Sequence, residues 1–167
     1  MPLDFPDWDS VYKQSNVEEL PWFNKNLDID IDKELKARNI NSGSFLDIGT
    51  GPGTQAIQLS NLGFDVTATD VSQAAIEKAK KISNRVEFQV DNILDSKLEK
   101  KGFDYIFDRG CFHTLKPSNW QKYVKTIKSI LKDDGTLFLK CFSIKERNLT
   151  QGPYRFSEKE IIDIFSK

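Results

Sequence analysis

The sequence is poor in several chemistries. Its 167 residues include two cysteines, Cys111 and Cys141, and one histidine, His113. The cysteines fall in apolar surroundings without metal-ligand spacing. No metal centre is expected, and both read as reduced, buried thiols of a cytoplasmic protein. No apolar run reaches membrane-spanning length. The amino-terminal MPLDFPDWDS is acidic and proline-containing, unlike a signal peptide, so no membrane partner is expected. Net charge is −1, which supplies no strong sequence-independent attraction to nucleic acid. The densest basic spots, Lys78–Lys81 and Lys97–Lys101, read as solvated faces. Internal repeats and low-complexity linkers are absent.

What remains is a chain of ordinary globular composition, 38% hydrophobic and 29% charged, long enough for one domain with a real core. Its most informative stretch is Ser44–Thr54, SFLDIGTGPGT. An apolar run broken by Asp47 leads into glycines at alternate positions, Gly49, Gly51 and Gly53. A strand entering a glycine-rich turn and then a helix is a ligand-cradling geometry. Pro52 stiffens the turn, and the helix over Gln55–Leu62 stops at Gly63. The third glycine of the dinucleotide fingerprint falls on Thr54, so that pattern fails. The spacing is D-x-G-x-G-x-G instead. A carboxylate at Asp47 suits a cationic ammonium and repels a phosphate. A purely structural glycine turn is the competing reading.

The same alternation of strand and helix continues. Strands are predicted at Phe64–Thr69, Val86–Val90, Phe103–Phe107 and Thr136–Phe142, and helices after Ser72, over Ser118–Leu131 and after Ser157, where Glu160 completes a capping box. An earlier helix is expected over Asp32–Asn39. Strands alternating with helices imply an α/β, doubly wound, parallel sheet. The second strand ends at Asp70, 21 residues past Gly49, where a carboxylate takes hydrogen bonds from ribose hydroxyls. The third ends at Asp91-Asn92-Ile93, which also reads as an Asx turn. Trp22 and Phe23 read equally as core plugs or as ligand contacts.

The D-x-G-x-G-x-G loop resembles the first motif of class I S-adenosylmethionine-dependent methyltransferases. The stretch after the fourth strand, Asp108-Arg109-Gly110-Cys111-Phe112-His113-Thr114-Leu115, resembles the thiopurine methyltransferase and tellurite-resistance branch. Pro21-Trp22 in an amino-terminal strap and Gly152–Ile161 match that branch too, so the resemblance spans roughly residues 8–165. It implies a Rossmann-like sheet of order 3-2-1-4-5, with 1–43 a strap and 44–167 the S-adenosylmethionine-binding unit. It also implies a carboxy-terminal antiparallel hairpin that is missing before Lys167. Residues beyond 167 are therefore expected, and TLFLKCF would otherwise expose an unpaired apolar edge.

By the same resemblance, the cofactor residues are Trp22, Asp47, Gly49, Thr50, Gly51, Gly53, Asp70, Val71, Asp91, Asn92, Ile93 and Asp108, with Asp91 accepting from the adenine amino group. S-adenosylhomocysteine is the product. Arg109 and His113 stand on the acceptor side. Arg109 attracts an anionic acceptor or pairs with Asp108. His113 serves as base or orienting group, or bonds a loop carbonyl structurally. The implied reaction is direct methyl transfer to a small, soft nucleophile, a thiol or a selenium or tellurium species, by a monomer or weak homodimer. A non-catalytic cofactor-binding remnant and an NAD-linked oxidoreductase are the alternatives.

Overall fold

The computed structural model describes residues 7–147 and 153–166. The opening MPLDFP, positions 148–152 of the polar loop with Gly152, and Lys167 lie outside the described residues.

The chain begins with α1, Trp8–Gln14, whose N-cap Asp7 accepts from the Asp9 N–H. A short 3₁₀ turn over Val17–Glu19 leads to α2, Ile29–Ala37, capped by Asp28. The helix thus starts three residues before the predicted Asp32. In the run Asp28-Ile29-Asp30-Ile31-Asp32, Asp28 is the cap and the other two acids sit in the first turn, where they favour the helix dipole.

Five strands follow: β1 Ser44–Ile48, β2 Asp65–Asp70, β3 Glu87–Val90, β4 Phe103–Arg109 and β5 Leu131–Lys140. They form one sheet of order β3-β2-β1-β4-β5, every pair parallel, as expected from the alternation. The intervening helices are α3 Thr54–Asn61, α4 Gln73–Ile82 and α5 Trp120–Ile130. A second, two-stranded parallel pair joins β6 Phe142–Ser143 to β7 Arg155–Phe156, and α6 Glu158–Phe165 follows behind its capping box. Among the described residues no strand pairs with the outer side of β5.

The period-two alternation of β1 divides the core. Phe45 points to one face, joining Ile31 and Leu35 of α2, Leu59 of α3 and Ile76 of α4. Leu46 and Ile48 point to the other, joining Tyr123, Val124, Ile127 and Ile130 of α5 and Ile164 of α6. Each fully buried aliphatic or aromatic side chain contributes about 1.5–3 kcal/mol. Both faces are covered, as an all-parallel sheet requires.

β5 departs from expectation at its start. The Asp133-Asp134-Gly135 turn lies inside the strand's span rather than before it. Leu131 pairs with Phe103 and Thr136 with Tyr105, so four residues bulge opposite Asp104. Lys132 Nζ holds Asp104 Oδ1 at 2.7 Å across that bulge. The bulge needs glycine, because a Cβ on Gly135 would meet Leu131 at 2.7 Å.

Candidate active site

The carboxyl ends of β1 and β4 open on one cleft, roofed by the amino-terminal segment. Its lining includes Tyr12, Trp22, Phe23, Asp47, Gly49–Pro52 and Arg109 around a cavity of about 40 Å³.

The glycine loop forms the floor. Gly51 and Gly53 hold φ of 54° and 79°, left-handed values that favour glycine. A Cβ on Gly51 would lie 2.5 Å from the Tyr12 hydroxyl, and one on Gly53 would lie 2.7 Å from the Phe88 ring. Gly53 therefore serves the packing of α3 against β3, while Gly51 leaves its backbone open beneath the roof. Gly49 faces Cys111 instead.

The loop is tied down by its neighbours. Thr50 Oγ1 donates to Asp47 Oδ2 at 2.6 Å, and Thr50 N donates to the Thr69 carbonyl at 2.9 Å. Gly51 N donates to Asp70 Oδ2 and Ser72 N to Asp70 Oδ1, both at 2.9 Å. Burial raises the Asp47 carboxyl to about 7, only partly offset by the Thr50 bond. Burial also raises Asp70, against the donors of Ser72 and Gly51. Val71, beside it, is exposed.

At the tip of β3, Lys97 N donates to Asp91 Oδ1 at 2.9 Å. Asp91 Oδ2 is buried and has no hydrogen-bond partner. Such an acceptor is costly unless a donor arrives. Asn92 caps the 3₁₀ turn Ile93–Asp95 by accepting from Leu94 N, and Ile93 packs into the core against α5. The Asx-turn reading therefore describes the Asn92 side chain.

Asp108, expected among the cofactor residues, is turned inward. It is fully buried and accepts from Gly110 N, Cys111 N, Phe112 N and the Tyr123 hydroxyl. Burial still raises it to about 6. Its job is to fold the loop after β4, and Arg109 does not pair with it. Arg109 Nε instead donates to Asp28 Oδ2 at 2.9 Å, and its Nη1 to the Trp22 carbonyl at 3.1 Å.

His113 stacks on Phe142 with centroids 5.1 Å apart, and its Nδ1 is buried without a partner. Burial lowers it to about 4, so the ring is neutral near pH 7. It does not line the cleft. Cys111 and Cys141 are free thiols, both raised by burial. No cluster of potential metal ligands occurs among the described residues.

Several contributors escaped the sequence reading. Tyr12 covers Gly51 and accepts a 3.1 Å bond from Trp22 Nε1. Asp9 caps α4 from a distance, accepting from Ala74 N at 2.8 Å and the Ser72 hydroxyl at 3.0 Å. Gln55 donates to the carbonyls of Asn24 and Asn26. Only Asp28, standing as a cap before an apolar period, carried a local signal.

Comparison with known proteins decides the family. The family model for the methyltransferase domain matches residues 45–135. The chain belongs to the class I S-adenosylmethionine-dependent methyltransferases. Among curated relatives, EEF1A lysine methyltransferase 2 of Danio rerio is 29% identical over 164 residues, covering 85% of this chain and 70% of that protein. A solved structure described under the conversion of a disulfide bond into a thioacetal group during echinomycin biosynthesis superposes with a TM-score of 0.80. Its identity is 21%, over 95% of this chain and 76% of that one. Phosphoethanolamine N-methyltransferase 2 of Haemonchus contortus, in complex with S-adenosylhomocysteine, gives a TM-score of 0.67 at 23% identity, over 83% and 36%. These last two likenesses are of fold.

Family membership makes this methyltransferase an enzyme with S-adenosylmethionine as cofactor, and removes the NAD-linked alternative. The residues present fit that cofactor. The carboxylates of Asp47 and Asp70 adjoin the glycine backbone, where they would repel a pyrophosphate, and Asp91 offers a buried acceptor awaiting a donor. Among the described residues, no helix is long and apolar enough to cross a membrane.

Proposed function

We propose that this methyltransferase transfers the methyl group to the amine nitrogen of a protein lysine. The observation that carries this reading is the pairing of Arg109. Its guanidinium is neutralised by Asp28 and bonded to the Trp22 carbonyl. Lys140, beside it, is paired with Asp28 and Asp30. A soft anionic acceptor would find no free cation in these two side chains. The carboxylates tied to the glycine loop, Asp47 and Asp70, add no positive charge to draw such an anion. The zebrafish relative's name, EEF1A lysine methyltransferase 2, supports a lysine acceptor.

In this proposal Asp47 meets the cofactor's ammonium, Asp70 the ribose hydroxyls and Asp91 the adenine amino group. Gly49, Thr50 and Gly51 supply the close backbone wall, and Trp22 and Val71 flank it. The cofactor supplies a methyl group on a cationic sulfur that leaves as a neutral thioether. The chain's own contribution is alignment, which can lower a barrier by about 7–11 kcal/mol. A lysine amine must first lose its proton to become the nucleophile.

The second reading keeps a small, soft nucleophile and the thiopurine and tellurite-resistance branch. It rests on the Asp108–Leu115 and Gly152–Ile161 stretches. One assay separates the two. The protein is incubated with S-adenosylmethionine and either recombinant EEF1A or a panel of thiols and tellurite. Methyl addition on a lysine, found by mass spectrometry, supports the first reading. Methylated thiol or tellurium with no modified lysine overturns it.

A further inference from the structure

Asp28 sits where four elements meet, and the methyl-transfer chemistry does not use it. Its side chain is 5% exposed. Oδ1 accepts from Asp30 N at 3.0 Å, capping α2. Lys140 Nζ reaches both oxygens, at 2.9 and 2.8 Å, and Arg109 Nε reaches Oδ2 at 2.9 Å. Its own N–H donates to Gln55 Oε1, in the first turn of α3, at 2.7 Å. Arg109 and Lys140 are direct register partners at the ends of β4 and β5. Two like charges so placed repel each other unless an anion lies between them. Burial pushes the Asp28 carboxyl up, but Lys140, the Asp30 N–H and Arg109 outweigh it, and it stays ionised.

The segment before Asp28 is the roof of the cleft. Arg109, held by Asp28, donates to the Trp22 carbonyl. Gln55 grips Asn24 and Asn26, and Gln58 grips Lys25. Trp22 Nε1 donates to Tyr12, whose hydroxyl lies over Gly51. The cavity beneath is about 40 Å³. Sites that bury a small molecule run to roughly 300–1,000 Å³. An adenosine-sized ligand therefore requires the roof to lift.

We propose that Asp28 is a positioning residue whose charge pins this roof, so that cofactor exchange requires the Asp28–Arg109–Lys140 cluster to open. The proposal rests on the S-adenosylmethionine reading of the cleft. Arg109 transmits the pin to Trp22, and Lys140 shares the charge from the exposed side.

The test is the dissociation rate of S-adenosylhomocysteine from the full chain, followed by stopped-flow displacement. Asp28→Asn keeps the shape and the N-cap acceptor and removes the charge. It is expected to release the ligand about tenfold faster or more. Wild-type release should accelerate between about 0.05 M and about 0.5 M salt, as exposed members of the cluster are screened. Release from the variant should be insensitive to salt. A change in stability alone would not remove a salt dependence. Should Asp28→Asn fail to fold, Lys140→Ala leaves the Arg109–Asp28 bond in place and is expected to move release in the same direction. Wild-type release rate and salt dependence in both variants would overturn the pin alone. A wild-type protein that does not bind the ligand would overturn the cofactor reading beneath it.

Discussion

The backbone N–H of Gly51 donates a 2.9 Å hydrogen bond to Asp70 Oδ2, joining the glycine loop to the tip of β2. One carboxylate thus shapes the loop, and in the proposed reading it also takes the ribose hydroxyls. Asp70→Ala removes both. Affinity for S-adenosylhomocysteine should fall by about 1–3 kcal/mol, on the scale of a lost hydrogen-bonding group. Isothermal calorimetry gives the value. Unchanged affinity would mean that Asp70 is not at the ribose.

Asp47 couples binding to pH. Its folded carboxyl lies at about 7, against about 3.9 in an unfolded chain. The folded form therefore holds a proton that the unfolded form has lost between those values. Stability of the free protein from this group falls as pH rises from about 4 to about 7, then levels. A cationic ligand needs the ionised form, so S-adenosylhomocysteine should bind about tenfold more weakly at pH 6 than at pH 8. Asp47→Asn should abolish that step and raise the melting temperature of the free protein at pH 8. An equal pH dependence in the variant would place the titration elsewhere.

Asp108→Ala tests the loop after β4. The change leaves the N–H groups of Gly110, Cys111 and Phe112 and the Tyr123 hydroxyl without their acceptor in a buried site. The expected loss is on the order of 3 kcal/mol, read as a lowered urea midpoint. A variant of unchanged stability and weakened cofactor binding would return Asp108 to the ligand.

His113 has the opposite linkage to Asp47. Its folded value of about 4 lies below the usual 6.5 because burial disfavours the charged ring. The unfolded chain takes up a proton first as pH falls. The stability this residue contributes is complete above about 6.5 and is lost from there down to about 4. His113→Phe should therefore narrow the fall in melting temperature between pH 7 and pH 5. An unaltered fall would show that the ring is solvated.

The sheet was legible because local signals agree with it. Alternating apolar residues in FDVTAT and FDYIF, the glycine turn and the Ser72 cap each specify an element without help from afar. Placement was legible where a motif lies at a strand end, as Asp47, Asp70 and Asp91 stand at or beside the ends of β1, β2 and β3. It was illegible where the partner is distant in sequence. Arg109 sits beside Asp108 in the chain but pairs with Asp28, 81 positions away. Tyr12 carries no mark of its contact with Gly51. The start of β5 was misread because Asp133-Asp134-Gly135 is ordinary turn chemistry. The Lys132–Asp104 and Lys101–Asp133 pairs and the Leu131–Phe103 register keep it within the strand.

The most direct test is a crystal structure of the chain with S-adenosylhomocysteine. The three strand tips should surround one adenosine, with Asp70 bonded to the ribose and the buried Asp91 Oδ2 given a donor by the adenine amino group. An adenosine bound with Asp91 Oδ2 still unpartnered and Asp70 bonded only to Gly51 and Ser72 would contradict the account.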